Sequence, residues 1–229
     1  TVLFLAPGLV MASMPCAHEA RTELQLELQE IKLLQLEMGP DQLRLVGAPD
    51  GDGLLRVRGC ASSAERLARM SLQPERAGAG VLKLVRETGG SSSFTGGLFS
   101  GGRGNYGYFE IEGRIPEAMA IELALGSGDA RIHNVHALQA TVGSGDLEVR
   151  DVADLFKAQV GSGDIDARNV GRLEIRSIGS GDVEIQGVAG DVSVGSIGSG
   201  ELDLRDVQGS VEIGSIGSGD AELLGVGGN

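Results

Sequence analysis

Through the second half of the chain, apolar and polar residues change places one by one. Asp146-Leu-Glu-Val-Arg150, Asp164-Ile-Asp-Ala-Arg168, Asp182-Val-Glu-Ile-Gln186 and Glu201-Leu-Asp-Leu-Arg205 all show it, and a period of two is that of a half-buried β-strand. The pattern restarts at nearly equal intervals, so its apolar positions fall into columns. One column holds Ala130, Leu147, Ile165, Val183, Leu202 and Ala221, and a second holds Ile132, Val149, Ala167, Ile185, Leu204 and Leu223. A third is valine throughout: Val135, Val152, Val170, Val188, Val207 and Val226. After each valine comes a turn, then a second apolar stretch. Two strands and two corners fit about 18 residues at roughly 3.3 Å per strand residue.

The interval is marked by a four-residue word, Gly-Ser-Gly-Asp, beginning at Gly126, Gly143, Gly161, Gly179, Gly198 and Gly217, with spacings of 17, 18, 18, 19 and 19 residues. A short word at a near-fixed interval is the mark of a solenoid whose repeats contact only their neighbours. A helical repeat would need a 3.6-residue period and far less glycine. The expected fold is therefore all-β: a parallel β-solenoid over residues 116–229, capped by an N-terminal β-rich domain over residues 13–115.

The word itself reads as a structural corner. Its glycines are expected to supply positive φ, and its Ser and acidic side chains to bond nearby backbone. The acids concerned are Asp129, Asp146, Asp164, Asp182, Glu201 and Asp220. Calcium is the alternative, because Gly- and Asp-rich repeat-in-toxin solenoids resemble this chain. Their repeat needs such a motif in each half-coil. Here the opposite corner carries Asn134, Asp151, Asn169, Gly187, Asp206 and Gly225, too few oxygens in alternate coils for a site of about 6–8 ligands. His133 and His136 lack the further ligands of a zinc site and read as solvated surface residues. No metal or cofactor is expected.

In the N-terminal part, Leu24-Gln-Leu-Glu-Leu28 alternates and residues 33–38 are mostly apolar. Gln42–Val46 and Leu54–Val57 flank Ala48-Pro-Asp-Gly-Asp-Gly53, a hairpin-type turn cluster. Ser62-Ser-Ala-Glu65 resembles a capping box and, with Leu67 and Met70, predicts one short helix. Residues 89–105 are Gly/Ser-rich and read as a loop with Phe94, Leu98 and Phe99 exposed or loosely packed. Strand character resumes over Tyr106–Glu112. A solenoid's open end is a sheet edge, so covering it is one expected role of this domain.

Charge separates the two parts. The net charge is −13. Residues 116–229 carry 19 acidic and 7 basic side chains, whereas residues 1–115 carry 13 and 12. The acidity thus belongs to the coils, and a surface of that sign repels nucleic-acid backbone and anionic lipid. Aromatics make up 3% and Trp is absent, which suits a narrow interior filled by aliphatic side chains.

Residues 2–10 form an apolar run of signal-peptide length, too short to span a bilayer, and Val10-Met-Ala12 offers small residues at the positions a signal peptidase reads. Residues 1–12 are read as part of a signal peptide. Pro15 stands before Cys16, where a lipoprotein signal places a small residue. The first residue is Thr1 and the last, Asn229, falls halfway through a coil, which reads as a fragment of a longer gene product. Export places the chain in an oxidising compartment, and Cys16 and Cys60 are its two cysteines. A disulfide between them would constrain the unfolded chain by roughly 3–4 kcal/mol; two free buried thiols are the alternative.

The segment Ile111-Glu-Gly-Arg-Ile-Pro-Glu-Ala-Met-Ala-Ile-Glu-Leu-Ala-Leu-Gly-Ser-Gly-Asp129 and the coils after it resemble bacterial exported proteins called "putative adhesin". Cys16-Ala-His18 and Gly59-Cys60-Ala61 also look like its proteobacterial members. The resemblance covers roughly residues 16–229. It implies a β-helical shape and a place in the envelope: periplasm, cell surface or secreted. It implies no catalytic residue.

Two classes of function remain open. The first is a non-catalytic adhesin or scaffold that presents an acidic coil surface to an envelope or extracellular polymer or protein, with end-to-end self-association of coils as a further expectation. The second is a carbohydrate-active β-helix enzyme. Such an enzyme needs acids, bases and cations that break the repeat at one place, and no coil here carries an insertion. The arginine column Arg150, Arg168 and Arg205 is expected to pair with neighbouring acids.

Overall fold

The structure is a computed structural model that describes residues 16–87 and 105–227. The signal-like run and most of the Gly/Ser-rich stretch, with Phe94, Leu98 and Phe99, lie outside the described residues.

Each coil lays one strand on each of two sheets. Sheet I runs in the order β6 (Val81–Glu87), β2 (Leu33–Met38), β8 (Ala120–Leu125), β10 (Ala137–Val142), the second halves of β11 (Asp146–Val160) and β12 (Asp164–Ile178), β14 (Val192–Ile197) and β16 (Val211–Ile216). Sheet II runs β7 (Gly107–Pro116), β3 (Gln42–Ala48), β9 (Asp129–Val135), the first halves of β11 and β12, β13 (Asp182–Val188), β15 (Glu201–Val207) and β17 (Asp220–Val226). All these neighbours are parallel. The solenoid predicted from the repeat is the fold.

The ladders run on past residue 116 into the N-terminal part. The coil made by β2 and β3 is inserted between β6/β7 and β8/β9, although it comes first in the chain. Antiparallel strands then close that end: β5 (Ser71–Gly78) on β6, β4 (Leu54–Ala61) on β7, and β1 (His18–Gln25) on β4. The hairpin expected across Ala48–Gly53 is not formed. Both edges of β3 are taken by β7 and β9, so the chain crosses over the end of β7, with Gly53 N–H donating to Arg114 O (2.9 Å), before β4 pairs on its far side. The predicted helix is a single turn, α1 (Ala64–Leu67), capped by Ser63, whose hydroxyl accepts from Arg66 N–H (3.2 Å).

Inward columns form the core. Val135, Val152, Val170, Val188 and Val207 are at most 2% exposed, as are Ile132, Val149, Ala167, Ile185 and Leu204. Val226 and Leu223, on the last described coil, are 37% and 38% exposed. Phe156 is the one aromatic among the largest fully buried side chains.

The two corners reverse the roles expected of them. No glycine of the Gly-Ser-Gly-Asp word has positive φ. Its second glycine is required by stacking instead. A Cβ at Gly145 would lie 1.8 Å from Gly128 O, and one at Gly163 would lie 2.1 Å from Gly145 O. Corner backbone sits on corner backbone, with Ser144 N–H donating to Gly126 O and Ser162 N–H to Gly143 O, both at 2.7 Å. Left-handed backbone lies at the opposite corner, where Asn134, Asp151, Asn169 and Asp206 have φ of 57–59° and Gly187 and Gly225 have 80° and 70°. Asn, Asp and Gly are the residues that reach this region at least cost.

In the inserted coil the corner is Gly39-Pro40-Asp41, in register with Gly126-Ser127-Gly128. Asp41 is the buried charged side chain of the described core, at 0% exposure. Its carboxylate accepts from Gly39 N–H and Phe109 N–H, each at 2.8 Å, and Arg86 Nε lies 2.8 Å from Oδ2. One side chain thus ties together a β2–β3 corner, β7 and β6.

Two substitutions probe the corners. Gly145→Ala should destabilise the chain by about 1–3 kcal/mol or more, because the corner is overpacked, while Ser144→Ala stays within about 0.5 kcal/mol. Asp41→Ala should cost about 3–5 kcal/mol by leaving Arg86 without its buried counter-charge. Urea unfolding midpoints check both.

Candidate functional site

The outer faces of the two sheets differ sharply. Along β9 to β17 the outward positions of sheet II hold eleven acids and four arginines. Along β8 to β16 those of sheet I hold three acids (Glu122, Glu174, Glu212) and three bases (Lys157, Arg172, Arg176). The net acidity of the coils therefore sits on sheet II and at the corners, and sheet I is balanced.

Parallel register stacks these residues into ladders. The first outward column of sheet II is Asp129, Asp146, Asp164, Asp182, Glu201 and Asp220, all exposed. None of the six has an ion-pair partner within 4.0 Å among the described residues, and Asp164 Oδ1 accepts from Asp182 N–H (3.0 Å). Neighbouring carboxylates recur at the strand spacing of roughly 4.8 Å. Asp146 shows the consequence: burial, then Asp129 and Asp164, push its carboxyl above the usual aspartate range.

The second column is neutralised. Glu148 lies 3.0 Å from Arg131 Nε and 2.7 Å from Arg150 Nε. Burial acts to raise its carboxyl, but Arg150 and Arg131 outweigh burial and hold it below the usual glutamate range. Asp166 pairs with Arg168 (3.4 Å), and Arg205 bridges Asp203 and Glu184 (2.5 and 3.6 Å). The arginine column thus pairs with acids as its spacing predicts, each exposed pair contributing about 0–1 kcal/mol.

His133 departs from the expected solvated histidine. Its side chain is two-thirds buried, with Nε2 3.7 Å from Glu148. Burial lowers its pKa, which outweighs the opposing pull of Glu148. His136 is exposed. Among the described residues, no group of three or more His, Cys, Asp or Glu converges as a metal-ligand set.

Residues 122–226 match the family described as "Putative auto-transporter adhesin, head GIN domain". The match runs along the coils from β8 to β17. Solved structures similar to the chain include a "putative cell adhesion protein" from Clostridium sporogenes, 15% identical over 90% of this chain and 99% of that one, with a TM-score of 0.44. A "putative adhesin" from Bacteroides fragilis is 12% identical over 92% and 98%, with a TM-score of 0.47. A "Putative lipid binding protein" from Parabacteroides distasonis is 16% identical over 91% and 96%, with a TM-score of 0.45. No curated protein matches the chain.

Beside the coils, the structure builds features that the repeat does not announce. Cys16 and Cys60 are bonded, with Cα atoms 5.4 Å apart. Over β1, β4 and β7 runs a groove of about 430 Å³ lined by Arg21, Glu23, Arg56, Arg58, Glu110 and Glu112. Its charges largely cancel: Arg58 is held by both oxygens of Glu110 at 2.9 Å and by Glu19. No sequence signal brings these residues together, because they come from three strands far apart in the chain. No helix among the described residues is long and apolar enough to cross a membrane.

Asp146 supplies a pH test. Its folded pKa is raised, so its ionised form destabilises the fold; that penalty is absent below the unfolded pKa and grows as pH rises through the folded pKa. Asp146→Asn should therefore raise the urea midpoint at pH 7, with the gain shrinking to nothing as pH falls through the acidic carboxylate range.

Proposed function

We propose that this chain is a non-catalytic, exported envelope protein of adhesin or scaffold type that presents the acidic face of sheet II to an extended partner. The observation that carries the reading is the concentration of unpaired carboxylates in one straight column, with the opposite sheet balanced. Five spacings between its six acids span about 24 Å at roughly 4.8 Å each. Repetition of this kind gives many equivalent weak contacts, and a partner that engages several at once gains avidity. A catalytic centre has the opposite signature, one concave place where titratable groups differ from their neighbours. Export is supported by the signal-like N-terminal run, the disulfide and the adhesin family. The partner that fits is a neutral or cationic polymer or protein segment, since an anionic one is repelled.

Binding of the purified chain to neutral, anionic and cationic polysaccharides, measured at several salt concentrations, tests this. Binding should be weakest to the anionic polymer. Asp146→Asn, Asp164→Asn and Asp182→Asn should each weaken binding to the cationic polymer by a similar small factor, accumulate when combined, and matter less at high salt. Turnover of a polysaccharide that one carboxylate substitution abolishes would overturn the reading in favour of an enzyme.

A further inference from the structure

β1 is the outermost described strand of sheet II, and among the described residues it pairs with one strand, β4, from His18↔Ala61 to Gln25↔Leu54. Seven of its eight side chains are exposed and Leu24 is half-buried, so the strand buries little apolar surface to offset the entropy of ordering it. Its cross-strand partners are mixed. Glu19 pairs with Arg58 at 2.9 Å, but Arg21 lies directly opposite the same arginine, a juxtaposition of like charges. Both ends of the strand are anchored. At its C-terminal end Leu26 is 2% exposed and its N–H donates to Gly53 O (3.0 Å). At its N-terminal end the Cys16–Cys60 bond holds the chain, with Ala17 N–H donating to Tyr106 Oη (3.0 Å).

From this arrangement we propose that β1 is a redox-sensitive strap. With the disulfide in place, it covers the edge of β4 and satisfies that strand's outward backbone groups. Reduction frees the segment from Cys16 to Gln25, which swings on Leu26 and uncovers the β4 edge, a row of backbone donors and acceptors open to another strand. The chemistry has an accessible side. Cys60 is fully buried, while Cys16 is partly exposed, so a dithiol reductant attacks Cys16 Sγ. The S–S bond breaks, Cys60 leaves as a thiolate and takes a proton, and the second thiol of the reductant displaces Cys16 as it closes its own disulfide. Two electrons and two protons enter the protein, and the dithiol is oxidised. The core cluster of the coils includes neither cysteine, so the coils have no direct stake in the bond.

Hydrogen–deuterium exchange of the chain, oxidised and after treatment with a dithiol, reads the strap directly. Reduction should speed exchange of residues 17–25 roughly tenfold or more, with residues 120–207 unchanged, and Cys16→Ser should match the reduced chain without reductant. Unchanged protection of residues 17–25 on reduction would overturn the proposal. So would a rise of similar size throughout the coils, which would make the disulfide a staple of the whole fold.

Discussion

Every coil meets the next through the same close approach, in which the backbone of one corner rests on the carbonyl of the corner before it. Gly145 sits so near Gly128 O, Gly163 so near Gly145 O and Gly181 so near Gly163 O that no side chain fits between them. This contact sets the registration of the stack. Once corners superimpose, the strands on either side superimpose as well, and each strand's N–H and C=O groups find partners in the coils above and below. No coil satisfies its own backbone, so the apolar columns and the charged columns both arise from corner stacking.

In-register stacking repeats chemistry, for better and worse. Inside, like on like gives continuous columns of valine and other aliphatic residues that exclude water. Outside, it places carboxylate over carboxylate, and Asp146 bears the cost in a raised pKa. The second column of sheet II is relieved by arginines two residues along the strand, through Arg150 on Glu148 and Arg205 on Asp203. The first column has no such relief. A stretch of like charge left unneutralised on one sheet, beside a balanced second sheet, makes the solenoid electrically two-sided.

The ends of the stack are handled differently from its middle. At the N-terminal end, antiparallel strands replace the parallel ladder, and Asp41 stands where the repeat has a glycine. A carboxylate can take that buried place because it gathers two backbone N–H groups and Arg86 around its oxygens. At the other end Ile216, Leu223 and Val226 are exposed on the last described coil, at 46%, 38% and 37%, at positions whose equivalents Ile197, Leu204 and Val207 in the coil before are buried.

The coil fold was legible in residues 116–226 because every coil repeats one short-range pattern: alternation, a turn, and the same word. Local periodicity is all that a solenoid needs. The disulfide was legible from two cysteines and the expectation of export. The corner glycines were recognised for the right position and the wrong reason, since close packing between coils leaves no mark in the sequence that distinguishes it from positive φ. That distinction, the slot of the β2–β3 coil between β7 and β9, the burial of Asp41, and the segregation of charge onto one sheet were decided by tertiary structure. Each depends on contacts between residues tens of positions apart, where a single sequence shows the partners and not the pairing. The chain by itself determined that coils form and what lines them; packing determined which face carries the charge and how the stack is closed.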